Sequence, residues 1–300
     1  MRILLLGKNG QVGWELQRAL APLGEVVALD QEGNERLVGD LADEAGLRAT
    51  VAAVKPDAIV NAAAYTAVDN AESDPGRVHR INAAAPGALA EEAAARRIWF
   101  VHYSTDYVFD GSGKRPWRED DPTGPLSVYG ESKLAGEEAI RASGCRHLIL
   151  RCSWLYAARG GNFARTMLGR AAARAGLTVF ADQMGAPTGA DVVADITAHL
   201  LRSVMEGVGP RPVGIYHLAA AGETSWHGYA SFVINEARRR GVSLKVKEIA
   251  PVPSSSWPTA ATRPLNSRLD TTRLRSVFGI HLPDWRLGVT RLLDEILLQT

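Results

Sequence analysis

The sequence predicts an α/β protein with a doubly wound parallel sheet and a smaller C-terminal part. Through about residue 150, short apolar segments alternate with alanine-rich segments, as expected where parallel strands are joined by helices that cover both faces of a sheet. Beyond residue 150 the alternation loosens, and Pro, Trp and Arg gather between residues 252 and 270. We therefore expect a first domain at 1–150, to which a segment near 177–220 returns, and a mainly substrate-binding part at 151–300 whose loops close over the strand ends.

The chain opens with a predicted strand, glycine turn and helix. The apolar run Ile3–Leu6 has the length of a buried strand, and it leads directly into Gly7, Gly10 and Gly13. Gly7 permits a tight turn, Gly10 lets the backbone approach a pyrophosphate, and Gly13 allows the helix to pack closely on the strand. The pattern predicts a dinucleotide site in a Rossmann-type fold, and its alternative is a glycine-rich turn without a ligand.

The second predicted strand, Glu25–Leu29, ends at a carboxylate. Asp30 follows the glycines by about 20 residues, where an acidic side chain can accept hydrogen bonds from the ribose hydroxyls of a dinucleotide. Because a carboxylate repels a 2′-phosphate, Asp30 favours NADH without excluding NADPH.

The remaining elements of the first domain place polar residues at strand ends. The sequence predicts helices near Asp43–Val54, His79–Arg97 and Tyr129–Ala142, and strands at Ala58–Asn61, Ile98–Tyr103 and His147–Arg151. Asn61–Ala64, Ser104–Asp106 and Ser153–Trp154 follow three of these strands. Since ligands collect at the carboxyl ends of parallel strands, we expect the chemistry to lie there.

Tyr129 and Lys133 stand four residues apart in the string Y-G-E-S-K. This spacing places both side chains on one helix face. An ammonium beside a phenol favours the phenolate, so Lys133 is expected to lower the pKa of Tyr129. The hydroxyl of Thr105 would share the same substrate oxygen. The loop Phe109–Val128, which lies between these residues, is either a surface excursion or a mobile lid.

Composition excludes several classes of partner. The 300 residues carry a formal net charge of +1, which gives no reason to expect nucleic acid or an anionic membrane. No apolar run approaches the roughly 18 residues that span a bilayer, and a glycine turn interrupts the N-terminus where a signal peptide would continue. Cys145 and Cys152 are too few for a disulfide framework and fit a reducing compartment. We expect a cytoplasmic protein.

With these motifs in this order, the chain resembles the extended short-chain dehydrogenase/reductase family. The resemblance rests on the strings G-K-N-G-Q-V-G-W-E-L, N-A-A-A-Y, S-T-D-Y-V-F-D-G, P-L-S-V-Y-G-E-S-K-L-A-G-E, D-Q-M-G-A-P-T-G-A, G-I-Y-H-L, R-P-L-N-S-R-L-D and L-P-D-W-R, which run nearly from end to end. It implies an enzyme that reduces a 4-keto group of a nucleotide sugar with NADH or NADPH.

The resemblance also implies a role for individual residues. Tyr129 would be the proton donor, Lys133 would lower its pKa and hold the nicotinamide ribose, and Thr105 would bind the carbonyl oxygen. Asp106 and Trp154 would contact the nucleotide sugar. The cofactor would meet Gly7, Asn9, Gly10, Gln11, Val12, Asp30, Asp40, Leu41, Ala62, Ala63 and Ala64, together with Tyr129 and Lys133.

Some members of the family bind Mg²⁺ through three carboxylates at the interface of a homodimer. The matching positions here are Glu15, Asp191 and Glu295, with Asp191 where the family pattern has a glutamate. The alternative is three surface carboxylates that hold no metal.

Two other functions remain open from the sequence. A 4,6-dehydratase of the same fold needs Asp-Glu directly after the threonine, whereas Asp106 is followed here by Tyr107, so one carboxylate is missing. A non-catalytic regulatory subunit resembling the reductases is the second alternative, and the intact Thr105, Tyr129 and Lys133 argue against it.

Overall fold

The computed structural model describes residues 1–207 and 212–297. The strands are β1 Arg2–Leu6, β2 Glu25–Leu29, β3 Ala58–Asn61, β4 Trp99–Thr105, β5 Arg146–Cys152, β6 Leu155–Tyr156, β7 Gly176–Phe180, β8 Met184–Gly185, β9 Thr188–Gly189, β10 Gly214–Leu218, β11 Thr224–Ser225 and β12 Glu248–Val252. The helices are α1 Gln11–Leu20, α2 Glu44–Val54, α3 Val68–Ala71, α4 Pro75–His79, α5 Ala85–Arg96, α6 Val128–Ala142, α7 Phe163–Ala173, α8 Ala190–Glu206, α9 Trp226–Arg239, α10 Thr272–Phe278 and α11 Trp285–Leu297. Among these elements, no helix is long and apolar enough to cross a membrane.

The centre of the molecule is a six-stranded sheet in the order β2-β1-β3-β4-β5-β10. Every neighbouring pair in it is parallel. Separate apolar clusters cover its two faces, with α1 and α8 on one side and α2 and α5 on the other. The predicted doubly wound Rossmann-type sheet is confirmed. Because β2 and β3 flank β1 on opposite sides, the topological switch point lies between β1 and β3, where such sheets bind ligands.

The C-terminal half contributes to both parts of the molecule. Within the segment 177–220, helix α8 packs on α1 and strand β10 completes the central sheet. Strand β7 instead pairs with β12, and the pairs β6–β9 and β8–β11 are also separate from the central sheet. An aromatic core around Tyr229 and Trp285 holds α9 against α11.

The helix predicted at His79–Arg97 is broken into parts. Helices α4 and α5 flank a π-helical segment at Arg80–Ala84, which hydrophobic periodicity does not reveal. Within it, buried Asn82 bonds the backbone of Tyr65 and the hydroxyl of Ser132. A Cβ on Gly136 would lie 2.2 Å from the Asn82 carbonyl oxygen. The π segment therefore lets α6 approach closely and fixes the helix that carries Tyr129 and Lys133.

The loop between β4 and α6 is hydrogen-bonded to the segment 266–270, which precedes α10. Trp117 stacks on Phe109 with ring centroids 4.7 Å apart. Its backbone N–H donates to the Arg268 carbonyl at 2.8 Å, and its own carbonyl accepts from Asp270 N–H at 2.7 Å. These contacts favour the interpretation of Phe109–Val128 as a packed surface excursion over that of a mobile lid.

Candidate active site

The glycine turn closes against the loop that follows β3. Gly7 has φ +87°, and a Cβ there would lie 2.6 Å from the Ala63 nitrogen. A Cβ on Gly13 would lie 1.9 Å from the Gly7 oxygen. Gly10 occupies the N-cap of α1 without a side-chain cap, so the first amides of the helix stay available to an anion. The turn fits a dinucleotide pyrophosphate, with Gln11 and Val12 in the first helical turn.

Asp30 lies at the end of β2 with two polar neighbours from the glycine turn. Its carboxylate accepts from Asn9 Nδ2 at 2.8 Å and lies 3.2 Å from Lys8 Nζ. Although burial favours the neutral acid, Lys8 and the Gly33 N–H hold the pKa of Asp30 below its usual range. Sequence reasoning missed Lys8. Its position between Gly7 and Asn9 was the available signal, since a cation beside the predicted ribose-binding carboxylate bears directly on cofactor choice.

The other predicted cofactor positions lie around the same cleft. A Cβ on Gly39 would lie 2.0 Å from the backbone carbonyl oxygen of Asp30. The chain therefore passes close to the end of β2 at Gly39, and Asp40 and Leu41 are the next residues along it. Leu41 is buried in the core, which leaves mainly its backbone to face a ligand. Ala62, Ala63 and Ala64 follow β3, and Ala62 N–H donates to the Leu6 carbonyl at 2.9 Å.

Thr105 and Tyr129 meet at the carboxyl end of β4. Thr105 is the last residue of the strand, and its Oγ1 accepts from Tyr107 N–H at 3.1 Å. Ser127 caps α6, whose second residue is Tyr129. Burial raises the pKa of Tyr129 to about 12, and a hydrogen bond with Thr105 opposes the rise. The two hydroxyls are therefore placed to bind one oxygen atom, and the phenol is protonated at neutral pH.

Lys133 is buried below Tyr129 on the same helix. Its Nζ donates to the Tyr103 carbonyl at 2.6 Å and lies 3.0 Å from His102 Nε2. Burial lowers the pKa of Lys133 to about 8, and the Glu137 carboxylate opposes that shift. Burial is the main cause of the raised pKa of Tyr129, and the lysine's two side-chain hydrogen-bond contacts are with β4. That the Lys133 charge lowers the pKa of Tyr129 stays a prediction.

Asp106 is the most unusual carboxyl of the site. It is 2% exposed, and its Oδ2 makes no hydrogen bond of good geometry with the described residues. Oδ1 accepts from Thr105 Oγ1 at 3.2 Å. Burial raises the pKa of Asp106 to about 7, and the Ser267 hydroxyl limits the rise. A buried, unsatisfied oxygen next to Thr105 is suited to a hydroxyl of a bound sugar.

Trp154 holds a strained backbone position two residues after β5. Its φ is +47°, a conformation that costs energy in a residue with a bulky side chain. The indole stacks on Trp226 at 3.7 Å between centroids, and a Cβ on Gly185 would lie 2.6 Å from it. The stacked pair presents an aromatic surface next to the strand ends.

Tyr107 fills the position where a dehydratase carries its second carboxylate. Its ring meets that of Tyr129 edge-on at 5.7 Å between centroids. Burial raises the pKa of the Tyr107 phenol above its usual value, so this residue cannot replace a carboxylate as a base near neutral pH.

The three carboxylates proposed for Mg²⁺ do not form a metal site within one chain. Across residues 1–207 and 212–297, no group of three potential ligands comes together. Asp191 Oδ2 lies 3.5 Å from Arg291 Nη1, and Glu295 Oε1 accepts from Arg291 Nε at 3.2 Å. Glu15 faces Arg18 at 3.5 Å. Guanidinium groups neutralise these carboxylates, so they do not fit a resident cation.

Sequence reasoning placed Asn61 at a strand end near the site, but it missed His102 and the pairing of the two residues behind Lys133. His102 and Asn61 are both 1% exposed and stand directly opposite each other in the register of β4 and β3. Polar residues within two otherwise apolar strands, close to their carboxyl ends, were the signal that could have identified them.

A Rossmann sheet whose switch point opens beside a neighbouring threonine and tyrosine, with a lysine one helix turn on, defines an extended short-chain dehydrogenase/reductase. A family model described as the RmlD substrate binding domain matches residues 1–298. The chain belongs to this family, that of the dTDP-4-dehydrorhamnose reductases.

Named relatives match along the whole chain. The dTDP-4-dehydrorhamnose reductase of Shigella flexneri is 51% identical over 300 residues, which cover 100% of this chain and 99% of the relative. The crystal structure of a dTDP-4-dehydrorhamnose reductase from Clostridium acetobutylicum superposes with a TM-score of 0.89 at 32% identity, covering 100% of both chains. That of the Bacillus anthracis reductase, in complex with NADP, has a TM-score of 0.88 at 30% identity and covers 98% of this chain and 99% of that one.

Proposed function

We propose that this protein reduces the 4-keto group of dTDP-4-dehydro-6-deoxy-L-mannose to give dTDP-L-rhamnose. The observation that carries the proposal is the neighbouring hydroxyls of Thr105 and Tyr129 at the carboxyl end of β4, next to the switch point. Two hydroxyls directed at one oxygen are what carbonyl reduction requires, and relatives that match the whole chain bear the corresponding name.

The cleft at the switch point would hold the nicotinamide cofactor. The free amides after Gly10 would bind the pyrophosphate, Asp30 the adenosine ribose, and Lys133 the nicotinamide ribose. The bound cofactor supplies the hydride for the reduction.

The chain's own residues would handle the proton. Thr105 donates a hydrogen bond to the carbonyl oxygen of the sugar, which polarises the C=O bond. Tyr129 gives its phenolic proton to the same oxygen as negative charge develops there. The Lys133 ammonium, one helix turn away, stabilises the resulting phenolate by its charge.

Asp106 and Trp154 would position the nucleotide sugar. With a pKa of about 7, Asp106 can accept a hydrogen bond from a sugar hydroxyl or, when protonated, donate one. The exposed part of the Trp154 indole would pack on the sugar or on the base, which is a common use of aromatic rings in ligand sites.

Two parallel incubations test the reaction. Purified protein with dTDP-4-dehydro-6-deoxy-L-mannose and NADPH or NADH is expected to consume the reduced cofactor and form dTDP-L-rhamnose. Purified protein with dTDP-glucose and NAD⁺ is expected to form no 4-keto-6-deoxyglucose. Formation of 4-keto-6-deoxyglucose in the second tube would identify the protein as a dehydratase. If no NADPH or NADH were consumed in the first tube, the reductase would be refuted in favour of a non-catalytic subunit.

Replacing Asp30 with Ala is expected to shift the preference of the enzyme towards NADPH. The substitution removes the ribose hydrogen bond and weakens NADH binding by roughly 1.5–3 kcal/mol. It also frees Lys8 Nζ, now 3.2 Å from the carboxylate, to face a 2′-phosphate. The measurement is kcat/KM for both cofactors.

Lys8→Ala provides the matched control for Asp30→Ala, since it should move the ratio in the opposite direction. If the ratio of kcat/KM with NADPH to kcat/KM with NADH were the same in the wild type and in Asp30→Ala, Asp30 would be excluded from the ribose site.

The rate of reduction is expected to fall as pH rises through about 8, the pKa of Lys133. Below that pH the lysine is an ammonium that holds the ribose and stabilises the phenolate, and above it the charge is lost. The measurement is a profile of kcat/KM against pH. Because Asp106 titrates near pH 7, the Asp106→Asn variant is measured in parallel: its alkaline limb should remain, whereas its disappearance would assign the limb to Asp106.

We also propose that the protein acts in the cytoplasm as a homodimer and supplies rhamnose for lipopolysaccharide O-antigen. Cys145 and Cys152 are both free and buried, which is consistent with a reducing compartment. Sedimentation of the purified protein tests the dimer.

A further inference from the structure

A buried row of three polar side chains lies behind the proposed catalytic tyrosine. Asn61 ends β3, His102 stands beside it on β4, and Lys133 reaches them from α6. His102 Nδ1 lies 3.2 Å from Asn61 Nδ2, and His102 Nε2 lies 3.0 Å from Lys133 Nζ. None of the three residues is more than 2% exposed, so they must satisfy their hydrogen bonds largely within the protein.

The backbone fixes the orientation of the Asn61 amide. Ala63 N–H donates to Asn61 Oδ1 at 3.1 Å, and a backbone N–H can only donate. The amide oxygen must therefore face Ala63, which turns the NH₂ group towards His102. Since an NH₂ group also only donates, His102 Nδ1 has to accept. Burial, together with the Lys133 charge, holds the pKa of His102 well below its usual value, so the neutral ring carries its one proton on Nε2.

This tautomer has a consequence for Lys133. The Nε2–H bond of His102 points at Nζ, and only an uncharged amine has the lone pair that accepts it. In the ammonium form, N–H would face N–H. The Tyr103 carbonyl accepts one N–H of Nζ in either form. The histidine therefore favours the amine over the ammonium.

We infer that His102, held by Asn61 in its Nε2–H tautomer, is a positioning residue that weakens the affinity of Lys133 for its proton. Its effect on catalysis rests on the proposed function, whereas the tautomer does not. The other titratable groups that face Lys133 are Glu137 on α6, which favours the ammonium, and Cys152 on β5, whose pKa is raised by burial so that the thiol stays uncharged. Burial and His102 oppose Glu137, so the balance changes within the working pH range.

The tautomer itself can be read by NMR. In protein labelled with ¹⁵N-histidine, two-bond ¹H–¹⁵N correlations distinguish Nε2–H from Nδ1–H rings. His147 is an internal reference, because its Nδ1 lies 3.0 Å from the Cys145 carbonyl and must carry the proton. His102, assigned from the signal lost in His102→Gln, is expected to show the Nε2–H pattern from about pH 6 to about pH 9, around the free histidine pKa and above it. An Nδ1–H or doubly protonated ring would overturn the inference.

The pH profile of turnover tests the effect on Lys133. In His102→Gln the amide oxygen can accept from the ammonium, so the alkaline limb is expected to move up by about one pH unit. Asn61→Asp should move it in the same direction, since a carboxylate accepts from Nδ1–H and reverses the tautomer. His147→Gln, the same substitution elsewhere in the sheet, should leave the limb in place.

The outcomes separate this inference from the proposed function. If the alkaline limb of the pH profile stayed at the wild-type pH in both His102→Gln and Asn61→Asp, the role of His102 would be contradicted. No turnover by the wild-type protein would refute the reductase, and the NMR result would still decide the tautomer.

Discussion

Replacing Tyr129 with Phe is expected to lower kcat by about 10²–10⁴-fold, the usual contribution of a positioned proton donor. The phenol lies one helix turn from Lys133 on α6, and its hydroxyl is close enough to Thr105 for that residue to lower its pKa. Phenylalanine keeps the ring and its edge contact with Tyr107 at 5.7 Å, so the site should keep its shape. Binding of NADPH, measured by fluorescence titration, should change little.

Tyr216→Phe is the matched control, because it removes a phenolic hydroxyl that donates to the Pro212 carbonyl, away from the site. Its kcat should stay near that of the wild type. If Tyr129→Phe retained kcat within tenfold of the wild type, the proton would come from another group, and Asp106 would be the first to test.

Replacing Glu137 with Ala is expected to destabilise the protein by about 3–5 kcal/mol, because it leaves a buried guanidinium without its partner. Arg151 donates to Glu137 through Nε at 2.9 Å and Nη2 at 2.6 Å. The two side chains are only 3% and 1% exposed. The Ser104 hydroxyl, next to Thr105, donates to the same carboxylate, so the loss would also loosen the end of β4. Chemical denaturation measures the free energy of unfolding.

Two comparisons make the stability prediction specific. Glu206→Ala breaks the exposed pair with Arg202 on α8 and should cost at most about 0.5 kcal/mol. The double variant Glu137→Leu with Arg151→Met removes both charges and should recover much of the loss. A loss below 1 kcal/mol in Glu137→Ala, similar to that of the surface pair, would mean that the buried pair adds little.

The parts of the fold that depend on local chemistry could be predicted from the sequence. Strands β2 and β3 begin and end at the predicted residues, because their short apolar runs, Val26–Leu29 and Ala58–Val60, lie between polar or turn residues and leave few alternatives. The glycine turn was equally predictable, since the positive φ of Gly7 and the close approach at Gly13 tolerate no side chain.

The parts that depend on contacts between distant segments could not be predicted. The pKa of Tyr129 rises with burial that no spacing along α6 reveals. The Ser267 hydroxyl beside Asp106 comes from the end of the chain, and the link from Asn61 through His102 to Lys133 needs the register of two strands. The π segment at Arg80–Ala84 depends on the packing of α6.

The anchoring of the loop after β4 has a consequence for biosynthesis. Asn266 N–H donates to the Gly111 carbonyl at 3.0 Å and Ser267 N–H to the Met184 carbonyl at 2.7 Å, beside the bond from Asp270 to Trp117. A nascent chain on the ribosome can therefore pair its first five central strands early, while the wall around Asp106 waits for residues near 270 to emerge. Translation therefore produces the strand that carries Thr105 well before the segment that closes around Asp106, so the surroundings of this carboxyl are completed last.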